Sequence, residues 1–164
     1  MIELLILDVD GTLTDGSIIH TNDGDELKAF DVKDGLAVAS WTKKLGKKVA
    51  IITGRTSKVV EKRAAELQVS HLFQGVDNKD EIIEIILQEE SLKWENVAII
   101  GDDLNDYKML KKASLSFCPN DAVEDIKSLV NVVCKKNGGR GAVREMIEYI
   151  LRYDAQKSLK ELWV

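Results

Sequence analysis

The chain has 164 residues, of which 45% are hydrophobic and 31% charged, and its formal net charge is −5 at pH 7. This length and balance predict one soluble globular domain over residues 1–164, with a substantial core. The negative charge argues against nucleic acid or an anionic membrane as the main partner, because both attract basic surfaces. We also expect neither a signal peptide nor a membrane span, since no apolar run approaches about 20 residues.

Short apolar runs alternate with amphipathic segments along the chain. The predicted strands are Leu4–Leu7, Val49–Ile52, Leu72–Phe73, Val97–Ile100, Leu115–Cys118 and Val132–Cys134. The predicted helices are Ser57–Gln68, Lys79–Gln88, Asp103–Lys112, Ala122–Val130 and Ala142–Tyr153. This alternation predicts a Rossmann-like α/β fold, in which helices cover both faces of a parallel sheet. The two cysteines lie in apolar runs and are expected to be reduced, buried thiols, as is typical of cytoplasmic proteins.

One segment, SIIHTNDGDELKAFDV at residues 17–32, interrupts the alternation. Asp23-Gly24 between two strand-like stretches is a hairpin signal. We therefore predict a β-hairpin flap directly after the first strand. The alternative is a surface loop without a role in function.

Acidic residues follow two of the predicted strands. Asp8 and Asp10 follow the first, and GDDLND at residues 101–106 follows Val97–Ile100. Ligand sites of parallel sheets lie beyond the carboxyl ends of the strands, so these acids should converge. Such a cluster requires a cation, and Mg²⁺ fits best because it binds a few carboxylates and keeps waters for a phosphate. The alternative, in which the later acids only begin a helix, explains one carboxylate but not three.

Two further residues could complement these acids. Thr53 ends a predicted strand just before a helix, where a hydroxyl and a backbone N–H can bind a phosphoryl oxygen. Lys79 carries an ammonium group that can neutralise a transferred phosphoryl group. Lys79 alone would be an ordinary lysine at a helix end, so its interpretation depends on the whole set.

Four motifs in this order resemble those of the haloacid-dehalogenase superfamily of phosphatases. They are DVDGT at residues 8–12, TGR at 53–55, Lys79, and GDDLND at 101–106. The closer resemblance is to the capless phosphatases that act on 3-deoxy-D-manno-octulosonate 8-phosphate (KDO 8-phosphate). Its cues are the chain length, the DVDGTLTDG opening, the predicted hairpin, DVKDG at 31–35 and GGRGAVRE at 138–145.

The resemblance implies a phosphatase that forms an aspartyl-phosphate. Asp8 would be the nucleophile, and Asp10 would donate a proton to the leaving oxygen and later accept one from water. Mg²⁺ would be held by Asp8, the backbone carbonyl of Asp10, and Asp102. Thr53 and Lys79 would bind the phosphoryl oxygens.

The same resemblance implies roles around these residues. Asp103 and Asp106 would orient Lys79 and metal-bound water. Candidate groups for substrate binding are Thr53, Gly54, Arg55, Lys79, Arg63 and Arg140. Arg55 is the first candidate for the sugar carboxylate, because a guanidinium matches a carboxylate in shape and charge. Phosphatases of nonulosonate 9-phosphates tend to have an acid at this position, so Arg55 favours KDO 8-phosphate, while the nonulosonate remains the alternative substrate.

The resemblance also implies a cytoplasmic homotetramer that serves lipopolysaccharide precursor synthesis. Its flaps would form a central barrel, and a C-terminal segment of a neighbour would cover each site. That segment would contain residues 139–141, with Lys157–Val164 of the tail (residues 154–164) as a further candidate. The alternative is that the last helix and the tail pack within their own chain.

Three other functions compete with this interpretation. A signalling receiver domain also uses acids, Mg²⁺, a threonine and a lysine, but its acid pair precedes a separate phosphoacceptor. A catalytically inactive subunit would keep the acids only as metal ligands. A phosphomutase would retain the phosphoryl group and usually carries a cap.

Overall fold

A six-stranded sheet in which every pairing is parallel forms the centre of the molecule. The structure is a computed structural model that describes residues 1–154 and 156–164. The strands are β1 (Leu4–Leu7), β4 (Lys48–Ile52), β5 (His71–Phe73), β6 (Val97–Ile100), β7 (Leu115–Cys118) and β8 (Val132–Val133), in the spatial order β5-β4-β1-β6-β7-β8. Strand β1 therefore lies in the middle, paired with β4 and β6. The predicted α/β fold is confirmed.

The residues of β1 alternate between two hydrophobic cores, one on each face of the sheet. Leu5 and Leu7 belong to one core, and Leu4 and Ile6 to the other, all fully buried. Side chains of a strand point alternately to opposite faces, so a strand that is covered on both faces must be apolar at every position. This requirement explains why the central strand β1 and its neighbour β6 appear in the sequence as uninterrupted apolar runs.

Helices occupy both faces. They are α1 (Val32–Ala39), α2 (Lys58–Glu66), α3 (Lys79–Glu89), α4 (Tyr107–Lys112), α5 (Glu124–Lys127) and α6 (Ala142–Asp154). Apolar side chains of α1, α2 and α6 enter one core, and those of α3, α4 and α5 enter the other. The predicted helix at 122–130 is shorter in the structure, and a short 3-10 turn, Leu104–Asp106, precedes α4.

Helix α1 and the π-helical turn that follows it, Ser40–Lys44, were not among the predicted elements. Asp31 caps α1, and its side chain accepts hydrogen bonds from the backbone N–H groups of Lys33 at 2.7 Å and Asp34 at 3.0 Å. Buried Asp34 in turn accepts from the N–H groups of Gly141 at 3.3 Å and Arg144 at 2.8 Å, at the start of α6. Burial raises the pKa of Asp34 to about 6 even though these donors favour its ionised form.

The segment after β1 contains a short antiparallel hairpin. Strand β2 (Ile19–His20) pairs with β3 (Glu26–Leu27), and Gly24 in the connecting turn has a φ of +88°. A positive φ suits glycine, which lacks the Cβ that makes this conformation costly for other residues. The hairpin lies inside the predicted range of residues 17–32, while Val32 already belongs to α1. Its role as a flap stays a prediction.

A search of the described residues for a helix long and apolar enough to cross a bilayer finds none.

Candidate active site

Three carboxylates converge where the central strands end. Strands β1 and β6 are paired in register up to Leu7 and Ile100, so the residues that follow them emerge side by side. Carboxylate oxygens of Asp8, Asp102 and Asp106 lie within 4.8 Å of one another, and we call these three residues the acid cluster. Acids from the two strand ends therefore converge as predicted, but the cluster contains three of the five predicted acids, without Asp10 and Asp103.

Lys79 is the cation of this cluster. It is the first residue of α3, and its Nζ donates to Asp8 Oδ1 at 2.6 Å and to Asp106 Oδ1 at 2.7 Å. Only 2% of Lys79 is exposed. Burial alone would lower its pKa, but the two adjacent carboxylates outweigh burial, and the pKa is raised. The ammonium group is thus charged and held between two acids.

Asp106 is held by backbone groups as well as by Lys79. Its Oδ2 accepts from the N–H of Asp102 at 2.9 Å, so both of its oxygens are occupied. A Cβ at Gly101 would collide with this carboxylate, which explains the glycine that begins GDDLND. The geometry suits the predicted role of Asp106 in orienting Lys79.

Asp103 is placed differently. Its side chain is exposed and accepts from the N–H of Leu104 at 2.7 Å, capping the 3-10 turn. Within residues 1–154 and 156–164, Asp103 makes no hydrogen bond or ion pair to Lys79. The structure therefore does not bring Asp103 to the lysine it was predicted to orient.

The acid cluster carries more negative charge than Lys79 can neutralise. Burial, followed by repulsion from Asp106, raises the pKa of Asp8 well above its usual value and that of Asp102 to about 6. Gly11 makes room for the Asp102 carboxylate itself, because a Cβ there would overlap Asp102 Oδ2. Clustered carboxylate oxygens are the donor set that a hard divalent cation such as Mg²⁺ prefers.

Asp10 has a separate environment. It is partly exposed, and its Oδ1 forms an ion pair with Lys28 Nζ from the hairpin. Its Oδ2 lies 4.0 Å from Nε of Arg55, whose Nη2 donates to Glu26 at 3.1 Å. Sequence reasoning missed both Glu26 and Lys28. The available signal was the two-residue spacing of opposite charges in a strand-like stretch beside the acid pair.

Thr53 follows β4, the other neighbour of β1. It is 2% exposed, and its N–H donates to the carbonyl of Phe73 at 3.0 Å. The adjacent Gly54 is exposed, with ordinary van der Waals room for a Cβ. Parallel pairing of β4 with β1 thus brings TGR to the same edge of the sheet as the acids.

Comparison with known proteins agrees with this arrangement. The sequence profile of the haloacid dehalogenase-like hydrolases matches residues 72–147. The chain is 45% identical over 151 residues to the 3-deoxy-D-manno-octulosonate 8-phosphate phosphatase KdsC of Escherichia coli K12, covering 92% of this chain and 79% of that protein. The chain belongs to the KdsC family.

Solved structures from the KdsC family have the same fold. A Moraxella catarrhalis KDO 8-phosphate phosphatase, crystallised with magnesium ion, phosphate ion and KDO, superposes with a TM-score of 0.89 at 40% identity, covering 94% of this chain and 91% of that one. A cobalt-bound deoxy-D-mannose-octulosonate 8-phosphate phosphatase of Haemophilus influenzae superposes with a TM-score of 0.86 at 33% identity, covering 94% of this chain and 95% of that one.

Two arginines that the KdsC resemblance suggested for substrate binding have other contacts here. Arg63 donates to the carbonyl of Asp31 at 3.4 Å, and its guanidinium carbon lies 5.6 Å from the centroid of the Phe30 ring. The side chain of Arg140 is 68% exposed, and its Nη2 lies 3.8 Å from Asp15. In the described part of the chain, neither arginine forms an ion pair with the acid cluster.

The glycine-rich segment before α6 packs against its own chain, and the coverage of a neighbour's site by residues 139–141 stays a prediction. Gly138, Gly139 and Gly141 are buried, and the N–H of Gly139 donates to the carbonyl of Thr12 at 2.9 Å. A Cβ on Gly138 would overlap the carbonyl oxygen of Gly11. The segment therefore supports the loop that follows Asp10.

The C-terminal tail also packs within the chain, as the alternative interpretation held. Leu159 is buried, and Trp163 Nε1 donates to Ser40 Oγ at 3.0 Å. Lys44 Nζ donates to the carbonyl of Leu162 at 2.8 Å and lies 3.8 Å from the centroid of the Trp163 ring. Within the predicted tail of residues 154–164, Ala155 lies outside the described residues.

Proposed function

We propose that this protein is a Mg²⁺-dependent phosphatase that hydrolyses KDO 8-phosphate to KDO and phosphate, a step of lipopolysaccharide precursor synthesis. The observation that carries the proposal is the acid cluster with Lys79 between Asp8 and Asp106, in a chain 45% identical to KdsC phosphatases. This arrangement holds one aspartate beside a cation at the end of the central strand, which suits a nucleophile for phosphorus.

In the first step, a carboxylate oxygen of Asp8 attacks the phosphorus, and the bond between phosphorus and the sugar oxygen breaks. Asp10 gives its proton to the departing oxygen. Thr53, the N–H of Gly54 and the Lys79 ammonium stabilise the negative charge on the phosphoryl oxygens. The products of this step are the sugar acid and an aspartyl-phosphate on Asp8.

In the second step, water attacks the phosphorus of the aspartyl-phosphate while Asp10 accepts a proton from it. The bond between phosphorus and Asp8 breaks, which releases phosphate and restores the carboxylate. Lys79 stays in place through both steps because Asp106, itself held by the N–H of Asp102, fixes the ammonium group. In this mechanism Asp103 only supports the contact between Asp106 and Lys79, and it does not touch Lys79 itself.

Asp8, Asp102 and the backbone carbonyl of Asp10 would hold Mg²⁺. When bound, the ion supplies positive charge that offsets the excess negative charge of the acid cluster and of the phosphate. The close approach of the carboxylate oxygens of the acid cluster and the raised pKa values of Asp8 and Asp102 are the features of this chain that fit such an ion.

For substrate recognition, we propose that Arg55 binds the sugar carboxylate. Its guanidinium lies at the mouth of the site, 3.1 Å from Glu26 and 4.0 Å from Asp10. Arg63 and Arg140 are secondary candidates, because within one chain their side chains contact residues outside the acid cluster. The free, buried thiols of Cys118 and Cys134 support a cytoplasmic location.

We further propose that the protein is a homotetramer. Apolar residues on and beside the hairpin are exposed in the single chain: Ile18 by 45%, Ile19 by 45%, Leu27 by 52% and Val32 by 82%. An exposed apolar patch of this kind marks an interaction surface, and a second copy of the hairpin has matching chemistry. Light scattering gives the mass in solution directly.

The function is tested by phosphate release from KDO 8-phosphate and from a nonulosonate 9-phosphate, with Mg²⁺ or with EDTA. We expect a preference for KDO 8-phosphate, loss of activity in EDTA, and loss in Asp8→Asn. Preference for the nonulosonate would replace the proposed substrate but keep the reaction. Turnover that survives in Asp8→Asn would refute the aspartyl-phosphate mechanism.

A further inference from the structure

Strand β3 of the hairpin and the residue that follows it direct two charged side chains toward the active site. Glu26 and Lys28 are two residues apart, so an extended backbone places them on the same face. Leu27 between them belongs to the opposite face and is 52% exposed. The side chain of Lys28 is only 1% exposed and that of Glu26 is 19% exposed, which is unusual for charged groups on a two-stranded surface hairpin.

These two side chains form a ring of four charges together with Asp10 and Arg55. Lys28 Nζ contacts Asp10 Oδ1 and lies 2.8 Å from Glu26 Oε1. Glu26 Oε2 accepts from Arg55 Nη2 at 3.1 Å, and Arg55 Nε lies 4.0 Å from Asp10 Oδ2. The formal charges of the ring sum to zero. A buried ammonium group is tolerated only when carboxylates compensate it, so this geometry ties Lys28 specifically to Asp10 and Glu26.

The two oxygens of Asp10 are therefore not equivalent. Oδ1 is occupied by the buried Lys28, while Oδ2 has only the more distant, exposed guanidinium of Arg55. An aspartate on a turn can adopt several side-chain rotamers, and proton transfer requires one that points at the reacting oxygen. A contact to one oxygen that water cannot easily replace selects a single rotamer and leaves the other oxygen for proton transfer.

We propose that Lys28 is a positioning residue that holds the Asp10 carboxylate for proton transfer, and that Glu26 holds Lys28 in turn. This inference rests on the proposed function, because it takes Asp10 as the proton donor and acceptor. It gives the hairpin a role in the site of its own chain.

The test uses the dependence of kcat/KM on the leaving group. This parameter covers the steps up to the first irreversible one, in which the sugar or aryl oxygen departs and Asp10 donates its proton. A nitrophenolate leaves without much help, whereas phenolate and alkoxide need the proton. The full-length protein with Mg²⁺ is assayed on nitrophenyl, phenyl and alkyl phosphates, as wild type and as Lys28→Met.

With Lys28→Met we expect kcat/KM to fall by about 10- to 100-fold on phenyl and alkyl phosphates. On nitrophenyl phosphate, kcat/KM should stay within about threefold of the wild-type value. Lys28→Arg, which keeps the charge, should recover part of the loss. Glu26→Gln should show the same trend more weakly. Lys111→Met on α4, where the described residues supply no ion pair, is the matched control and should leave all three substrates unchanged.

An equal fall in kcat/KM for all leaving groups, or no fall in kcat/KM, would overturn the proposal. If Lys28→Met fails to fold, as judged by circular dichroism, Lys28→Arg and Glu26→Gln decide by the same criterion. The outcome is separate from that of the proposed function. A wild-type protein that hydrolyses no phosphate ester refutes the function, whereas one that is active on aryl phosphates but not on KDO 8-phosphate still tests Lys28.

Discussion

Replacing Lys79 with methionine should destabilise the metal-free protein far more than an ordinary lysine substitution does. The ammonium lies 2.6 Å from Asp8 and 2.7 Å from Asp106, and all three side chains are at most 5% exposed. At an effective dielectric constant of about 20, each contact corresponds to about 6 kcal/mol of Coulomb attraction, and desolvation of the charges cancels much of it. Removing one partner of a buried ion pair costs about 3–5 kcal/mol, because the other charge stays buried without compensation. We expect this loss in the free energy of unfolding.

The assay is urea unfolding in EDTA, followed by circular dichroism, for wild type, Lys79→Met and Lys111→Met. The exposed control should change by no more than about 0.5 kcal/mol. In thermal unfolding, Lys79→Met should melt about 6–20 °C below wild type. Added Mg²⁺ should raise the stability of both proteins, since a ligand that binds only the folded state stabilises it. A loss below about 1 kcal/mol in Lys79→Met would refute the view that this lysine compensates the acid cluster.

Two more predictions concern the supports around the site. Gly138→Ala should lower stability by about 1–3 kcal/mol and also lower phosphatase activity, because its Cβ overlaps the Gly11 carbonyl in the loop behind Asp10. Gly46→Ala, whose Cβ meets nothing within 4 Å, should not affect activity, and equal activity in both variants would contradict the reasoning. Asp34 keeps its proton up to a pKa of about 6 when folded but releases it near 3.8 when unfolded, so its contribution to stability falls by about 3 kcal/mol as pH rises from below 4 to above 6. Urea unfolding midpoints measured at a series of pH values should not show this pH-dependent fall in Asp34→Asn. Parallel pH profiles for wild type and Asp34→Asn would argue against the role of Asp34 in it.

The sheet could be predicted from the sequence because its strands carry a strong local signal. Strands β1, β6 and β7 have the bounds predicted for them, since each is a mainly apolar run that is followed by aspartate, glycine or proline. Their parallel order then follows from alternation with helices, and the convergence of the acid cluster follows from that order. The same chain of reasoning made Lys79 a candidate.

The parts that were missed depend on contacts between distant residues. Helix α1 contains Gly35, which has low helix propensity, and its stability comes from packing against α6. A Cβ at Gly35 would overlap the guanidinium of Arg63, so a larger residue there would require the Arg63 side chain to move. The two-residue spacing of Glu26 and Lys28 is only a weak signal of their role, because charged residues of a surface hairpin are ordinarily solvated. Only the fold shows that Lys28 meets Asp10.

The structure explains how two aspartates separated by one residue can have different chemical tasks. Asp8 is buried against Lys79, whereas Asp10 lies nearer the surface against Lys28. Each carboxylate has its own lysine, brought from α3 in one case and from the hairpin in the other, so their environments can be adjusted independently. β1 ends at Leu7 and the turn at Gly11 redirects the chain, which lets the two side chains diverge although a continuous strand would place them on the same face. In the proposed mechanism, the second lysine beside Asp10 therefore distinguishes the proton-transfer residue from the nucleophile two positions away.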